Sequence, residues 1–295
     1  MVSESIYKKV INSYGDFFQP LCLLPKEKIA HDVLDEIKIH DQINILCRSL
    51  HISPADLKGK KILEVGSGLG IFVAVTRRDY GMESYGIEPA EIGFNTSYSI
   101  CQEIMEEYNL DKKIIIDAKG ENIPFDDNSF DLVFSSTVLE HVDNPYQVLK
   151  ESIRVLKSGG YLYFAYPNHH AFFDGHYAVF HPPLWLQGKF FPWMIKHIYG
   201  RDPAFAKTIR TELNIISTQR MLKKLSKEFR IERISLGKEI FKDRMQNMDF
   251  NDYAGLGKIK AILITLKKLR LNILLAKILI FFKMWDPVII SIKKK

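Results

Sequence analysis

Residues 61–70 read KILEVGSGLG and are followed by IFVAVTRRDY at 71–80. The first five residues are mostly branched and apolar, which predicts a buried strand. Glycines at every second position from Gly66 to Gly70 then predict a tight loop, and the apolar spacing after them predicts a helix that ends at Gly81. A strand, a glycine loop and a helix in this order begin a βαβ unit, so the stretch predicts an α/β protein with a parallel sheet.

The same alternation continues toward the C-terminus. The helix before the fifth strand is predicted to begin at Asn144, with Pro145 in its first turn, and to end at Gly159 and Gly160. With right-handed crossovers, the pattern predicts a doubly wound, Rossmann-like and mostly parallel sheet. The further predicted strands are ESYGIE at 83–88, KIIID at 113–117, FDLVFSS at 130–136, YLYFAYP at 161–167, and two segments near 229–236 and 287–295.

Composition and charge divide the chain into three parts. Its residues are 46% hydrophobic and 26% charged, which supports a folded core and excludes a disordered or fibrous protein. The net charge is +6, but the basic excess lies in residues 258–295, and residues 1–257 are net negative. The expected parts are a helical N-terminal extension at 1–58, a core domain at 59–237 with a lid-like insertion at 168–217, and a basic helical segment with a final strand at 238–295.

Cysteine usage and hydropathy bear on the cellular compartment. The three cysteines are widely spaced, which predicts neither a disulfide framework nor a zinc cluster and favours a reducing compartment. The first residues lack the apolar block of a secretory signal, and no run of about 20 apolar residues occurs. We therefore expect a cytoplasmic protein without a membrane-spanning helix.

The glycine loop has features that select its ligand. Ile71 stands where the dinucleotide fingerprint GxGxxG has its third glycine, and no Walker lysine follows. Glu64 lies two residues before Gly66, where an acidic side chain suits a positively charged ligand better than a diphosphate. Glu88 ends the second strand and can accept hydrogen bonds from both hydroxyls of a ribose. These residues predict an adenosine ligand without phosphates and disfavour a dinucleotide-dependent oxidoreductase, which stays as an alternative.

Four ordered segments resemble the motifs of the class I S-adenosylmethionine-dependent methyltransferases. They are ILEVGSGLG at 62–70, YGIEP at 85–89, DAKGENIPFDDNSFDLV at 117–133 and LEHVDNPYQVLKESIRVLKSGGYLYFAYPN at 139–168. The resemblance covers Lys61 to Asn168 and implies that S-adenosylmethionine is the cofactor. The sequence departs from the family pattern at Ser158, where proline is usual, and at Lys119 and Gly120, which leave open the acid that reaches the adenine.

The resemblance also implies a role for individual residues around the cofactor. Without a role in binding the cofactor, each glycine would serve only to form a tight turn, and Glu88 would be a solvated carboxylate at the end of its strand. The implied contacts are Glu64, Gly66, Ser67, Gly68 and Gly70 for the methionine and ribose side, Glu88 for the ribose hydroxyls, Asp117, Ala118 or Glu121 for the adenine, and the backbone near Ser135 for the methionine ammonium.

Histidines are the candidate catalytic residues, because a hydroxyl acceptor is helped by a general base. His141 follows the fourth strand and His176 lies in the insertion, so both are predicted near the carboxyl edge of the sheet, where ligands bind. Packing of these rings against aromatic neighbours is the alternative. No metal site is predicted, because the potential ligands of the insertion match no known zinc spacing. These ligands are His169, His170, Asp174, His176 and His181.

The segment 258–285 combines an apolar stripe with basic residues. Two interpretations remain open: packing on the domain or on a second subunit, which we favour, and contact with an anionic membrane surface at the inner face of a membrane. A nucleic-acid partner is disfavoured, because the domain with the cofactor motifs is net negative. The stripe, which has helical spacing, consists of Ile262, Leu266, Leu269, Ile273, Ile280 and Met284.

Taken together, the residues and the resemblance predict an S-adenosylmethionine-dependent methyltransferase with a small-molecule acceptor. Nine aromatic residues within 172–199 can stack a planar or sugar acceptor, or form a small core under the lid. The expected reaction is O-methylation of a sugar or a lipid-linked glycan. The alternatives are a C- or N-methyltransferase of a quinone, lipid or natural product, and a non-catalytic cofactor-binding protein.

Overall fold

The computed structural model describes residues 2–90, 95–182, 188–247 and 264–295, and its centre is a seven-stranded sheet. The strand order is β3-β2-β1-β4-β5-β9-β8; the first five strands are parallel, and β9 is antiparallel to both of its neighbours. The predicted doubly wound, mostly parallel fold is confirmed. The strands are β1 (Lys61–Val65), β2 (Glu83–Ile87), β3 (Ile115–Ile116), β4 (Phe130–Ser136), β5 (Leu156–Tyr166), β6 (Phe173–Asp174), β7 (Val179–Phe180), β8 (Ile231–Ser235) and β9 (Val288–Lys294); β6 and β7 form a separate pair.

Helices and strands share two apolar clusters. Successive residues of β1 belong to different clusters. Ile62 packs with residues of the helices at 36–50, 71–80 and 95–107, and Leu63 packs with residues of the helices at 145–155 and 215–228. This alternation is what a sheet covered by helices on both faces requires. The helices are α1 (Glu4–Val10), α2 (Asp16–Cys22), α3 (Lys26–Leu34), α4 (Glu36–Leu50), α5 (Ile71–Tyr80), α6 (Asn95–Glu107), α7 (Pro145–Val155), α8 (Phe190–His197), α9 (Ile215–Glu228), α10 (Lys238–Asn247) and α11 (Asn272–Phe281).

The junction of α7 and β5 differs in part from the prediction. Asn144 caps α7 as expected, since its Oδ1 accepts a hydrogen bond from the Gln147 N–H at 3.1 Å. The helix ends directly before β5 begins, so the prediction that Gly159 and Gly160 end it is wrong. Both glycines lie inside β5, where a Cβ on Gly160 would approach the Asp131 carbonyl oxygen at 3.0 Å. Gly160 therefore allows close strand passage, whereas Gly159 has open space around it and a left-handed φ of 82° that favours glycine.

The insertion and the N-terminal extension share a small core. This core is built around Tyr177 and Phe191 of the insertion and includes Leu21 of α2. Arg201 donates hydrogen bonds to the carbonyl oxygens of Leu21, at 2.7 Å, and of Tyr177. The two segments are far apart in sequence, so their joint packing is a tertiary feature.

The C-terminal segment is not one continuous helix. Residues 264–268 are helical, Arg270 has a left-handed φ of 57°, and α11 begins after it. Ile262, the first residue of the predicted stripe, lies outside the described residues. No helix in the described part of the chain has the length and apolarity that a bilayer crossing requires.

The face through which α11 packs also differs from the predicted stripe. Ala276 and Leu279 are buried against the domain, and Met284 is half-buried. Leu269 and Ile273 belong to the predicted stripe but are exposed, 62% and 43% respectively. Leu269 and Ile273 therefore do not pack on this domain, since the turn at Arg270 separates the two helical segments. Packing of the stripe on a second subunit and its contact with a membrane surface stay predictions.

Asn168 joins β5, the insertion and the C-terminal strand. Its side chain is buried, and its Nδ2 donates hydrogen bonds to the carbonyl oxygens of Lys283, at 3.0 Å, and Trp285, at 2.6 Å. Its Oδ1 accepts a hydrogen bond from the His170 N–H at 3.2 Å. Its own N–H donates to Asp286 Oδ1 at 2.6 Å. One side chain therefore fixes the point where the insertion leaves the sheet.

We predict that Asn168→Asp lowers the free energy of unfolding by about 2–4 kcal/mol, because the buried carbonyl oxygen of Trp285 and the partly buried one of Lys283 lose their donor. The new carboxylate would also lie near Asp286. Urea unfolding followed by tryptophan fluorescence measures the change. Asn122→Asp, at an exposed position, is the control and should change stability by less than about 0.5 kcal/mol. Equal stabilities of the wild type and Asn168→Asp would contradict the prediction.

Candidate functional site

The glycine loop between β1 and α5 touches the segment that follows β4. Gly66 and Gly70 both have a φ of 76°, in the left-handed region that favours glycine. A Cβ on Gly66 would lie 2.3 Å from the Val138 side chain, so only glycine permits this contact. The Gly66 N–H donates a hydrogen bond to the Ile87 carbonyl oxygen at 2.9 Å. The loop is therefore held between the carboxyl ends of β2 and β4.

Two buried glutamates lie at this loop. Glu88 Oε2 accepts a hydrogen bond from the Gly68 N–H at 2.9 Å, whereas Glu64 Oε2 accepts none from the described residues. Burial raises the pKa of Glu88 to about 7, and the hydrogen bond from Gly68 opposes this shift. Burial also raises the pKa of Glu64, and the neighbouring Glu88 carboxylate adds to that shift. Both carboxylates fit a ligand that donates hydrogen bonds or carries positive charge.

Tyr14 of the N-terminal extension covers the loop, a contact that the sequence did not predict. Its hydroxyl lies 3.7 Å from the position that a Cβ on Gly68 would occupy, and it donates a hydrogen bond to Ser97 Oγ at 3.0 Å. The Tyr14 ring is 6.1 Å from that of Phe18, which in turn is 5.9 Å from Phe205 of the insertion, measured between centroids. An aromatic row thus runs from the glycine loop to the insertion.

The residues predicted at the adenine have different partners. Asp117 Oδ1 accepts a hydrogen bond from the Ala90 N–H at 2.8 Å, which places it beside the segment after β2. Ala118, next in the chain, is half-buried. Glu121 Oε1 accepts a hydrogen bond from the Asn144 N–H at 3.0 Å, at the start of α7. The contacts of Asp117, Ala118 or Glu121 with an adenine stay predictions.

Ser135 lies near the end of β4 and ties that strand to β1. Its buried Oγ donates a hydrogen bond to the Val65 carbonyl oxygen at 2.7 Å. Ser67, the other serine at this edge, occupies the space that a side chain on Gly86 would fill. The backbone contact of Ser135 with a methionine ammonium stays a prediction.

Beyond Val138, a second cluster forms where β4 meets the insertion. The Nε2 atoms of His141 and His176 lie 3.8 Å and 3.9 Å from Glu140 Oε1. The two imidazole rings are 5.2 Å apart, centroid to centroid, and nearly perpendicular. The ring of Phe205 lies 5.5 Å from each of them. The two histidines that the sequence proposed for catalysis thus lie side by side, and their catalytic role stays a prediction.

Asp174 supports this cluster from behind His176. Asp174 Oδ2 lies 3.3 Å from His176 Nδ1, and Asp174 Oδ1 accepts a hydrogen bond from the Tyr177 N–H at 2.8 Å. Glu140 is 0% exposed, and neither of its carboxylate oxygens accepts a hydrogen bond from a described residue. Asp174 is therefore held in place by its neighbours, whereas Glu140 has no hydrogen-bond donor among the described residues.

Burial and neighbouring charges set the protonation of these four side chains. Burial raises the pKa of Glu140 to about 7, and His176 opposes this shift. Burial lowers the pKa of His141 to about 3, with a further decrease from the neighbouring His176. Burial acts to lower the pKa of His176, but Asp174 and Glu140 outweigh it and raise that pKa. Burial acts to raise the pKa of Asp174, but His176 outweighs it and lowers that pKa to about 2.

The structure groups the potential metal ligands differently from the set considered in the sequence. Within the described ranges, the group of metal-ligating side chains that converges is Glu140, His141 and His176. His169 is turned to the Leu213 carbonyl oxygen, 3.1 Å from its Nδ1. His181 is buried with neither ring nitrogen hydrogen-bonded to a described residue.

Sequence reasoning missed Glu140 and Phe205 at this site. The LEH segment at 139–141 contains Glu140 next to a candidate histidine, and this adjacency was the available signal. Phe205 had no such signal, since it reaches the histidines only through the packing of the insertion. Its role depends on contacts between segments that no local pattern encodes.

Comparison with known proteins agrees with this fold. Residues 63–164 match the family model described as a methyltransferase domain. An "uncharacterized methyltransferase" of Mycobacterium sp. (strain KMS) is 34% identical over 119 residues, which cover 40% of this chain and 43% of that protein. A protein of the same description from Mycobacteroides abscessus is 31% identical over 120 residues, 41% of this chain and 44% of that protein. The matched region thus spans less than half of these relatives' length.

A solved structure shares the architecture over a longer stretch. Phosphoethanolamine N-methyltransferase 2 of Haemonchus contortus, in complex with S-adenosyl-L-methionine, superposes with a TM-score of 0.51 and 16% identity. The superposition covers 86% of this chain and 52% of that chain. This likeness shows the fold.

We predict that Glu88→Gln weakens S-adenosylhomocysteine binding about tenfold to a hundredfold at about pH 8, because a charge-assisted hydrogen bond becomes a neutral one. The wild-type carboxylate, with a pKa of about 7, gains a proton as the pH falls below that value. Wild-type affinity should therefore fall by up to about tenfold per pH unit below 7, whereas Glu88→Gln should change little. Isothermal titration calorimetry across this range measures both effects.

Glu83→Gln is the matched control, because Glu83 is an exposed carboxylate at the start of the same strand. This variant should bind S-adenosylhomocysteine with the wild-type pH dependence. A pH slope that persists unchanged in Glu88→Gln would contradict the prediction and assign the titration to Glu64.

Proposed function

We propose that this chain transfers a methyl group from S-adenosylmethionine to a small-molecule acceptor, because residues 63–164 match a methyltransferase domain model and carry motifs that resemble the class I S-adenosylmethionine-dependent enzymes. The observation that carries the proposal is the contact of Val138 with Gly66. It brings buried carboxylates at the glycine loop close to the cluster of Glu140, His141 and His176. In this proposal the cofactor site and a polar acceptor site therefore lie side by side, with the contact of Gly66 and Val138 between them.

The residues at the glycine loop fit the cofactor by their charge and their free hydrogen-bonding atoms. When bound, S-adenosylmethionine supplies a methyl group on a positively charged sulfur, a good leaving group. Glu88, held by the Gly68 N–H, is suited to accept hydrogen bonds from the ribose hydroxyls. Glu64 has a free, buried oxygen that suits the positive charge of the methionine part. Asp117 and Ala118 are suited to flank the adenine.

The histidine cluster is suited to a hydroxyl acceptor. Transfer requires the acceptor oxygen in line with the methyl carbon and the sulfur, so positioning supplies much of the rate. As the new carbon–oxygen bond forms and the carbon–sulfur bond breaks, the hydroxyl proton must leave the acceptor. His141 and His176 are both partly accessible, with 22% and 13% of their side chains exposed. They can meet a hydroxyl on the side of the site away from the cofactor.

We further propose that the acceptor is a sugar or a lipid-linked glycan. The ring of Phe205 against both histidines gives an apolar wall of the kind on which sugar rings stack. Trp193 of α8 adds an exposed aromatic surface on the insertion. The alternative acceptors, a carbon or nitrogen atom of a quinone, lipid or natural product, would make the proton-accepting role of the cluster less important.

A peripheral membrane contact through α11 supports a lipid-linked acceptor. One side of α11 is buried, but apolar residues on its other side are exposed, with Phe281 at 80% and Leu274 at 55%. Exposed basic residues lie in or next to α11 in the chain: Lys267, Lys268, Arg270, Lys277 and Lys283. Exposed apolar side chains with lysine and arginine nearby in the chain fit the interface of an anionic bilayer.

We predict that the protein transfers labelled methyl groups from S-adenosylmethionine to an acceptor in the glycan or lipid fraction of a cell extract. His141→Ala and His176→Ala should each lower this transfer about 10²- to 10⁴-fold, because the hydroxyl loses assistance in releasing its proton. Their affinity for S-adenosylhomocysteine should stay close to the wild-type value. Scintillation counting of extracted fractions and calorimetry measure the two quantities.

Two further variants separate the parts of this proposal. Gly68→Val should abolish binding and transfer together, because a side chain at a φ of 52° strains the loop and fills the space below Tyr14. His197→Ala, an exposed histidine of the same insertion, should behave as the wild type. Normal cofactor binding with no transfer to any fraction would favour a non-catalytic protein, and binding of NAD in place of S-adenosylhomocysteine would overturn the proposal.

We predict that the protein floats with anionic phospholipid vesicles at low salt, and not with neutral vesicles. Each lysine or arginine at the surface contributes about 1 kcal/mol, which salt screens, so flotation should be lost at high salt. Leu274→Ser combined with Phe281→Ser removes exposed apolar contacts from α11 and should lower the vesicle-bound fraction at least about tenfold. The vesicle-bound fraction is measured by quantifying the protein in the floated vesicle layer.

Ile37→Ser is the matched control, because Ile37 is an apolar residue of α4 that is 70% exposed. It should leave flotation unchanged. A dimer in analytical ultracentrifugation that the double variant dissociates, without flotation of the wild type, would show that a second subunit covers α11 and that the membrane proposal is wrong.

A further inference from the structure

We propose that Glu140, His141 and His176 bind a divalent transition-metal ion, with Zn²⁺ as the reference ion. The ligand atoms are one carboxylate oxygen of Glu140 and the Nε2 atoms of the two histidines. Metal binding by these side chains is independent of methyl transfer. A role of the ion in activating the acceptor rests on the proposed function.

The distances between the ligand atoms suit a single ion. The three atoms lie within 4.8 Å of one another, and both histidine nitrogens are within 3.9 Å of Glu140 Oε1. A four-coordinate ion with bonds of about 2.1 Å holds its ligand atoms about 3.4 Å apart. The two distances to Glu140 would therefore shorten by about half an ångström, and the separation of the histidine nitrogens by at most about 1.4 Å, for the site to close around an ion.

The state of Glu140 gives an independent reason for a cation. Its carboxylate is fully buried, and neither oxygen accepts a hydrogen bond from any residue in the described ranges. A buried carboxylate without partners is costly, unless a cation or a proton compensates its charge. No lysine or arginine of the described chain forms an ion pair with Glu140, and the basic side chains beside it are the two imidazoles. Asp174 and Asp286, which also act electrostatically on it, are acidic. An ion between the three side chains would satisfy the carboxylate.

Asp174 has the position of an outer partner of a metal ligand. Metal-binding histidines commonly hold their second ring nitrogen against a carboxylate, which fixes the ring and its tautomer. Asp174 Oδ2 is 3.3 Å from Nδ1 of His176, while Nε2 of the same ring faces Glu140. The Tyr177 N–H holds the other oxygen of Asp174. The ring is thus oriented to offer Nε2 to an ion.

The ligand types indicate the class of ion. Two imidazoles and one carboxylate suit Zn²⁺ and neighbouring transition metals, whereas Ca²⁺ and Mg²⁺ prefer sites made of oxygen ligands alone. Glu140 lies at the buried end of the cluster, and the two histidines are partly exposed. The open coordination position would therefore face the acceptor side. An ion there would lower the pKa of an acceptor hydroxyl and hold its oxygen. With both Nε2 atoms bound to the ion, the ion replaces the histidines in assisting proton loss, and the hydroxyl proton passes to solvent on the open side of the site.

Metal binding can be tested on the full, tag-free chain after treatment with a chelator. Zn²⁺ titration by calorimetry should show one ion per chain with a micromolar or lower Kd. Co²⁺ should give visible absorption bands of the intensity typical of four or five ligands, and Zn²⁺ should displace it. Glu140→Gln and His176→Ala should each weaken Zn²⁺ binding at least about a hundredfold, because each removes one of three ligands. Asp174→Asn should weaken it about 10- to 100-fold, as an outer partner does.

Controls separate this site from adventitious binding and from misfolding. His197→Ala, an exposed histidine of α8, should bind Zn²⁺ as the wild type does. Thermal unfolding of each variant without metal checks the fold, and added Zn²⁺ should raise the melting temperature of the wild type and not of Glu140→Gln. Wild-type affinity in Glu140→Gln, or an equal loss in His197→Ala, would overturn the site.

S-adenosylhomocysteine titration of the same samples keeps the two proposals apart. Cofactor binding without specific Zn²⁺ binding overturns the metal site and leaves the methyltransferase proposal intact. Specific Zn²⁺ binding without cofactor binding supports the metal site and contradicts the proposed function. When both bind, removal of the ion should lower methyl transfer and leave the affinity for S-adenosylhomocysteine unchanged.

Discussion

The contact between the backbone of Gly66 and the side chain of Val138 is the constraint on which both halves of the site depend. Any side chain at Gly66 would displace the segment after β4, and with it Glu140 and His141, from the cofactor loop. The left-handed φ of Gly66 adds a second reason for glycine. The hydrogen bond from its N–H to Ile87 fixes the loop from the other side. The missing Cβ thus sets how closely the glycine loop approaches the segment that carries Glu140 and His141.

Buried carboxylates give the site its electrostatic character. Glu64, Glu88, Glu140 and Asp174 are all less than a tenth exposed. In the described part of the chain, Asp174 has a close histidine and a backbone donor, whereas Glu64 and Glu140 keep oxygens without hydrogen bonds. Such groups reduce the stability of the free protein and gain stability when a cationic or hydrogen-bond-donating ligand binds. The arrangement therefore favours ligand binding and lowers the stability of the protein without its ligand.

The loop half of the site was predictable from the sequence, and the histidine half was only partly so. The bounds of β1 and β4 and the position of the glycine loop follow from local patterns of apolar and turn residues, and the structure confirms them. The covering Tyr14 and the Asp174 support of His176 depend on packing between distant segments, which periodicity does not encode. Periodicity likewise grouped the apolar residues of the C-terminal segment, but the turn at Arg270 decided which of them pack.

The C-terminal segment connects α11 to the start of the insertion that carries His176. The chain leaves α11 and reaches Asp286, whose Oδ1 accepts the hydrogen bond of the Asn168 N–H. Asp286 also acts electrostatically on Glu140 and His176. Asn168 is the residue from which the insertion departs, so a displacement of α11 on a surface would reach the insertion through this hydrogen bond. The surface contact proposed for α11 and the proposed acceptor site are therefore joined by a short covalent path and one buried side chain, Asn168.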